Sequence, residues 1–301
     1  MTEASFEQGS VQVYLGHKSG KYPDGNQVLV RGGDVHVAFD MPLVAHALPG
    51  VFDAVDAVIL GHVHEDHLAG LGQRHDVPLW VHEGDVLAAQ SWEGMQRHFG
   101  YSPQVLEAWH ERMVRDFHYQ PRPHAQAYAD GHVWELGGGV RVSAHHLPGH
   151  TAGHCALVVE PEGVAFIGDI DLTGFGPYYG DATSSLSDFR RSLRAVRELD
   201  ARVWVTSHHR GVITDRQAFE TALQAFAGKL DERADKLLNM LSAAPQTLDS
   251  LVAQRLVYPL GYEAAFVNDV ERCMIRQHLH ELVQAGQVRC VDDDLQLFAT
   301  A

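Results

Sequence analysis

Three imidazoles and the carboxylate of Asp66 crowd into the six residues His62-Val63-His64-Glu65-Asp66-His67. The preceding segment, Val55 to Leu60, carries Val55, Val58, Ile59 and Leu60 and reads as a buried strand. The histidines therefore fall where a strand ends and the chain turns, a common place for chemistry on a rigid scaffold. Side chains at i and i+2 of an extended segment share a face, so His62 and His64 can reach one metal ion together. Asp66 and His67 follow the turn and can reach a second. Neutral imidazole and carboxylate suit Zn²⁺ and other divalent first-row metals. A chain with 21 His in 301 residues will show some clusters by chance. His-x-His-x-Asp-His beside a strand end is a more demanding pattern than that.

Three further segments follow in order: Pro148-Gly149-His150-Thr151-Ala152-Gly153-His154, Phe166-Ile167-Gly168-Asp169 and Val203-Trp204-Val205-Thr206-Ser207-His208. Together with the first, they resemble the signature of the metallo-β-lactamase superfamily, over about residues 10 to 215. The resemblance implies an α+β fold, the four-layer αββα sandwich. It also implies a site for two divalent metal ions, one held by His62, His64 and His150, the other by Asp66, His67 and His208, with Asp169 bridging. Zinc is the expected metal, with manganese or iron as alternatives. Such a site brings the pKa of a shared water to about 7, polarises a carbonyl or phosphoryl oxygen and stabilises the developing anion. Asp66 is also the expected proton carrier. His64, at a strand end, is expected to have a metal duty and no core duty, so its removal should spare the fold.

Several residues compete for these roles. His145, His146 and His154 lie near His150, and Asp171 lies two residues beyond Asp169. The family's Gly-His-Gly reads Ser207-His208-His209-Arg210-Gly211 here, which leaves His208 and His209 both open. Its Asp-x-Gly reads Asp40-Met41-Pro42. Arg210 becomes a candidate for binding an anionic group, and Tyr178 and Tyr179 are candidates for lining the pocket.

The elements that must position these groups are legible as periodicities. Val11–Leu15, Gln27–Val30 and Val35–Phe39 read as strands, with Gly32-Gly33-Asp34 as a hairpin turn, and Leu79–His82 as another. Residues 86–99 and 103–117 carry helical spacing, so a helical insertion is expected over about 84–130. It reads either as crossover helices or as a cap over the site. Residues 132–168 return to strands. Ser185 to Leu199 reads as a helix with Phe189, Leu193 and Val196 inward and Arg190, Arg191, Arg194 and Arg197 on other faces, a solvated set or a substrate contact.

The texture changes near residue 228, giving an expected hydrolase domain over 1–227 and a small C-terminal domain over 228–301. Helices over Lys229–Leu241, Thr247–Arg255 and Ala264–Ala285, then a hairpin around Asp292-Asp293-Asp294, read as winged-helix-like. This tail loosely resembles that of the superfamily's endoribonuclease members. It carries seven Lys/Arg against eleven Asp/Glu. A DNA-reading helix should be basic, so a structural or dimerising role is expected instead.

Composition bounds the rest. Apolar content of 45% and charged content of 21% suit a soluble globular protein. No run approaches the length of a membrane span, and Met1–Glu7 lacks the basic start and apolar core of a secretory signal. Three isolated cysteines make no disulfide framework, so a reducing cytoplasm is expected. A net charge of −16 disfavours adhesion to nucleic acid or anionic membrane. Two substrate classes remain: a small ester, thioester or lactone, and, as the alternative, a phosphodiester of single-stranded RNA or DNA. The expected partner is accordingly a small molecule or, alternatively, single-stranded nucleic acid, with a homodimer as the candidate assembly.

Overall fold

Apolar side chains alternate along short strands and build two sheets that face one another. A computed structural model describes residues 3–48, 50–74 and 76–301. The first sheet has seven strands in chain order: β1 (Phe6–Gln8), β2 (Val11–Tyr14), β3 (Gln27–Arg31), β4 (His36–Phe39), β5 (Ala57–Ile59), β6 (Leu79–His82) and β7 (Gln126–Tyr128). The second runs β8 (Val133–Gly137), β9 (Val140–His146), β10 (Cys155–Glu160), β11 (Val164–Phe166), β12 (Val203–Val205) and β13 (Val212–Ile213). Val11 and Val13, Val28 and Val30, and Val37 and Phe39 turn one face of the first sheet onto Cys155, Leu157, Val159 and Phe166 of the second. The period of two is what places these residues on facing surfaces.

The opposite faces carry helices. Leu29, Ala38, Val58 and Val81 of the first sheet share an apolar cluster with Met95, Phe99 and Met113. Ala156, Val158 and Trp204 of the second share it with Phe189, Phe219 and Phe226. The layers are therefore helix, sheet, sheet, helix. Trp204 stacks on Phe219 with ring centroids 4.3 Å apart and 7° between planes.

The site-bearing turn after β5 contains the short helix α1 (Glu65–Leu68). Helical residues between β6 and β7 form α2 (Val86–Gln90), α3 (Trp92–Phe99) and α4 (Pro103–Asp116). Strands β6 and β7 are parallel, and parallel neighbours require a crossover of this kind. The single helix expected over 86–99 breaks at Ser91, whose hydroxyl accepts the Gly94 N–H and caps α3. The expected insertion also overran, because residues 126–128 form β7. Helix α5 (Leu186–Ala195) leads to β12. Arg190 pairs with Asp231 and Glu281 and Arg191 with Asp188, and Arg197, in the turn that follows the helix, pairs with Glu220.

Helix α6 (Arg216–Leu241) starts at the cap Asp215 and runs continuously through residue 228. Helices α7 (Leu248–Gln254) and α8 (Val267–Gln284) follow, then a small sheet of β14 (Gln246–Thr247), β15 (Val288–Asp292) and β16 (Leu297–Thr300) in the order β14-β16-β15. Leu237, Leu251, Ile275 and Leu279 give this end its own apolar cluster, while Leu230, Val270 and Met274 belong to the main one. Among the described residues no helix is long and apolar enough to cross a membrane.

Glu271 of α8 is fully buried and accepts the N–H groups of Leu256, Val257 and Tyr258 at 2.7, 3.0 and 2.7 Å. Glu271→Ala strands three donors. It is expected to cost about 3 kcal/mol, read as a fall in the urea midpoint with an unchanged slope.

Candidate metal centre

The loop after β5 and the loops after β9, β11 and β12 converge at one edge of the sandwich. They bring together two groups of side chains. In the first, His62 Nε2, His64 Nδ1 and His150 Nε2 lie 3.0 to 3.2 Å apart pairwise. In the second, His208 Nε2 lies 3.2 Å and His67 Nε2 3.7 Å from oxygens of Asp66. Asp169 touches both groups. Its Oδ2 is 3.4 Å from His150 Nε2, and its Oδ1 is 3.3 Å from His67 Nε2 and 3.5 Å from His208 Nε2. All but Asp169 are nearly inaccessible.

The far side of each ring decides which nitrogen faces inward. His150 Nδ1–H donates to Tyr178 O at 3.0 Å, and His208 Nδ1–H to Gly20 O at 2.7 Å. His67 Nδ1 lies 2.6 Å from Asp40 Oδ2, and His64 Nε2 2.8 Å from Asp181 Oδ2. These contacts assign the tautomers and aim a lone pair of each ring at its group, as outer partners of metal-binding histidines do. Nitrogens on a tetrahedral ion with bonds of about 2.0–2.1 Å sit roughly 3.3 Å apart, close to the spacing of the first group. Two orphans point the same way: His67 Nε2 and Asp169 Oδ1 are buried with no hydrogen bond. Such atoms normally find partners. His62, His64, His150 and Asp169 could therefore hold one cation and Asp66, His67 and His208 another.

The electrostatics agree. Burial drives His62 far below its ordinary value and His150 down to about 4, so both stay neutral near pH 7. Burial opposes charge on His64 and His208 too. Asp181, with Glu65 and Asp66, overcomes it and raises His64 to about 9, while Asp169 and Asp66 raise His208 to about 10. Burial likewise opposes charge on Asp66 and Asp169, yet the neighbouring histidines hold both carboxyls below the usual range. The carboxylates around His64 and His208 thus favour positive charge at this site.

The competing residues lie elsewhere. His154 donates Nδ1–H to Leu147 O, and its Nε2 accepts the Asp169 N–H at 3.2 Å, so it holds the Asp169 backbone and has no free lone pair. This contact also explains Gly168, where φ is +55° and a Cβ would come within 2.6 Å of His154 Nε2. His145 lies against Ser143, and His146 donates to Ala152 O. Asp171 accepts Thr173 N–H and Oγ1–H. His209 is exposed in the left-handed region, φ +56°, next to the buried His208.

Tyr178 meets the centre through its carbonyl, which accepts His150 Nδ1–H, and its hydroxyl donates to Asp181. Tyr179 does not: it is fully buried, with its hydroxyl between Arg233 and His278, so the expectation that it lines the pocket is corrected. Arg210 is exposed, and its Nε donates to Leu172 O.

Asp181 and Asp85 escaped the sequence, and Asp40 showed there only as the start of an altered loop. Asp40 bonds both His67 and Gly61 N–H, Asp181 holds His64, and Asp85 accepts Val63 N–H, Thr151 Oγ1–H and Gly153 N–H, tying the first histidine loop to the second. The crossover helices also reach the site, with Phe99 stacked beside His64 at 6.0 Å and Tyr101 bonded to Asp181.

Comparison with known proteins gives this edge a family. A sequence model of the metallo-beta-lactamase superfamily matches residues 53–208, just over half of the chain. A relative from Aquifex aeolicus (strain VF5), described only as an uncharacterized protein, is 26% identical over 182 residues, covering 58% of this chain and 77% of its own. A metallo-beta-lactamase family protein from Thermus thermophilus superposes with a TM-score of 0.66 at 24% identity, covering 92% of this chain and 94% of its own. A beta-lactamase domain protein from Burkholderia ambifaria gives 0.68 at 20% identity, covering 98% and 94%. The two solved structures share the fold, and the sequence match supplies the family: this chain belongs to the metallo-beta-lactamase superfamily, whose members are generally metal-dependent hydrolases.

Proposed function

We propose that this protein is a hydrolase working with two divalent metal ions, on a small ester, thioester or lactone. The first ion is assigned to His62, His64 and His150, the second to Asp66, His67 and His208, with Asp169 shared. One observation carries the reading: three imidazole nitrogens converge within 3.0 to 3.2 Å in a buried site, with His64 and His150 each held from the far side so that a lone pair faces the others. Lone pairs so arranged repel unless a cation or a proton lies among them.

A pair of divalent ions, when bound, supplies Lewis acidity to water and to the substrate's oxygen at neutral pH. Zinc suits the imidazole-rich set, and manganese or iron would also accept it. The chain's own part is orientation. Asp40 fixes His67, Gly20 O fixes His208 and Tyr178 O fixes His150. Phe99, buried, stacks beside His64 and packs against that ring. Asp66 is better supported as a ligand than as a proton carrier, because its neighbours keep its carboxyl charged and weakly basic.

Charge supports the small substrate. A nuclease draws affinity from free Lys and Arg. Here Arg190 and Arg272, near the C-terminal unit, are paired with Asp231, Glu281 and Asp249, and the whole chain stands at −16. Arg210 remains as an anchor for one anionic group.

The test is a hydrolysis panel of a thioester, a lactone, an ester and labelled single-stranded RNA and DNA, with metal-loaded and chelator-stripped protein. Metal-dependent turnover of a small substrate is expected. Nucleic-acid cleavage lost in His64→Ala, with the small substrates inert, would move the protein to the phosphodiesterases. In the same assay His208→Ala is expected to lose at least about a thousandfold, several kcal/mol of barrier, and the exposed His209→Ala less than about tenfold. The reverse order would exchange their roles.

A further inference from the structure

The segment beyond Asp169 folds back over the first histidine group. Tyr178 O accepts His150 Nδ1–H, and Asp181 Oδ2 lies 2.8 Å from His64 Nε2. Asp181 is fully buried, and its other oxygen accepts the hydroxyls of Tyr101 at 2.6 Å and Tyr178 at 3.1 Å. With both oxygens engaged the carboxylate cannot turn. The imidazole it grips is left one orientation, with Nδ1 toward the group.

The C-terminal helices fasten the same segment from outside. Arg233 of α6, buried, donates to Phe175 O and Pro177 O and to the Tyr179 hydroxyl. Gln277 of α8 donates to Tyr179 O at 3.0 Å, and His278 lies 2.8 Å from the Tyr179 hydroxyl. Cys273 Sγ is 3.3 Å from Asp181 O. The fit is close enough that a Cβ at Gly180 would come within 2.4 Å of Val270. A buried guanidinium usually faces a carboxylate. Here it meets backbone carbonyls of one short segment, which fixes that segment's path.

We propose that residues 175–181 form a strap that orients His64 and His150, with Asp181 as the positioning residue, and that the C-terminal helices set the affinity of the first metal by holding this strap. The proposal rests on the reading that the first histidine group binds a metal. It gives the acidic C-terminal unit a role that needs no nucleic acid.

The test uses the full chain as apoprotein, titrated with Zn²⁺ against a chromophoric chelator and with Co²⁺ followed by its visible spectrum. Wild type should take two ions. Asp181→Asn should weaken one ion about 10- to 100-fold and change only that ion's cobalt bands. Tyr101→Phe should weaken the same ion less. Gln277→Ala, which touches no ligand, should weaken it by roughly a few fold, the lower end of such outer-partner effects. A general loss of stability would instead loosen both ions together as the unfolding midpoint fell. That result, or wild-type affinities in both Asp181→Asn and Tyr101→Phe, would overturn the strap, and an unaltered Gln277→Ala would overturn the part given to the helices. Should Asp181→Asn not fold, Tyr101→Phe decides. Wild type taking no ion would defeat the functional reading itself, whereas two ions with indifferent variants would defeat the strap alone.

Discussion

Asp169→Ala is expected to lose both metal ions and at least about a thousandfold in turnover, since charge stabilisation worth several kcal/mol goes with them. The geometry gives the reason. Asp169 is the carboxylate that spans both groups, through Oδ2 to His150 and through Oδ1 to His67 and His208. Without its charge, the second group keeps a single carboxylate, Asp66, between two imidazoles. The fold should survive, because what holds this residue is its N–H on His154, which alanine retains. Elemental analysis and circular dichroism of the purified variant check both halves. A variant that keeps two ions and works at wild-type rate would remove Asp169 from the centre.

His64→Ala is expected to abolish hydrolysis and also to destabilise the protein. The motif implies a metal duty alone for His64, and the structure adds a second. The ring is the partner of the buried Asp181 carboxylate at 2.8 Å. Deleting it leaves that charge facing two tyrosine hydroxyls, and breaking a buried pair of this kind costs about 3 kcal/mol or more. His64→Gln offers Asp181 a donor without an imidazole lone pair. It should recover much of the unfolding midpoint and none of the activity. Equal midpoints for the two variants would show that Asp181 does not depend on His64.

What could be read in the sequence follows from how close in the chain the cooperating atoms lie. His62, His64, Asp66 and His67 announce themselves because one turn presents them all. The strands were legible because burial on facing sheets repeats every second residue, as in Cys155, Leu157 and Val159. Asp181 was not legible, and Asp40 showed only as the start of an altered Asp-x-Gly loop, without its partner. Each is a lone acidic residue whose partner lies 117 or 27 positions away, and no local pattern marks such a pairing. Tyr179 departs from expectation for a related reason. Adjacent tyrosines on an extended segment point to opposite sides, and only the C-terminal helices reveal which side is interior. The long helix α6 begins before the change of texture near residue 228 because its first turns pack on Trp204 through Phe219.

The central claim is that this edge of the sandwich holds two ions per chain. The most direct measurement is elemental analysis by mass spectrometry of protein loaded with Zn²⁺ and freed of loosely bound metal by gel filtration. About two equivalents per chain are expected. One equivalent or none would contradict the account.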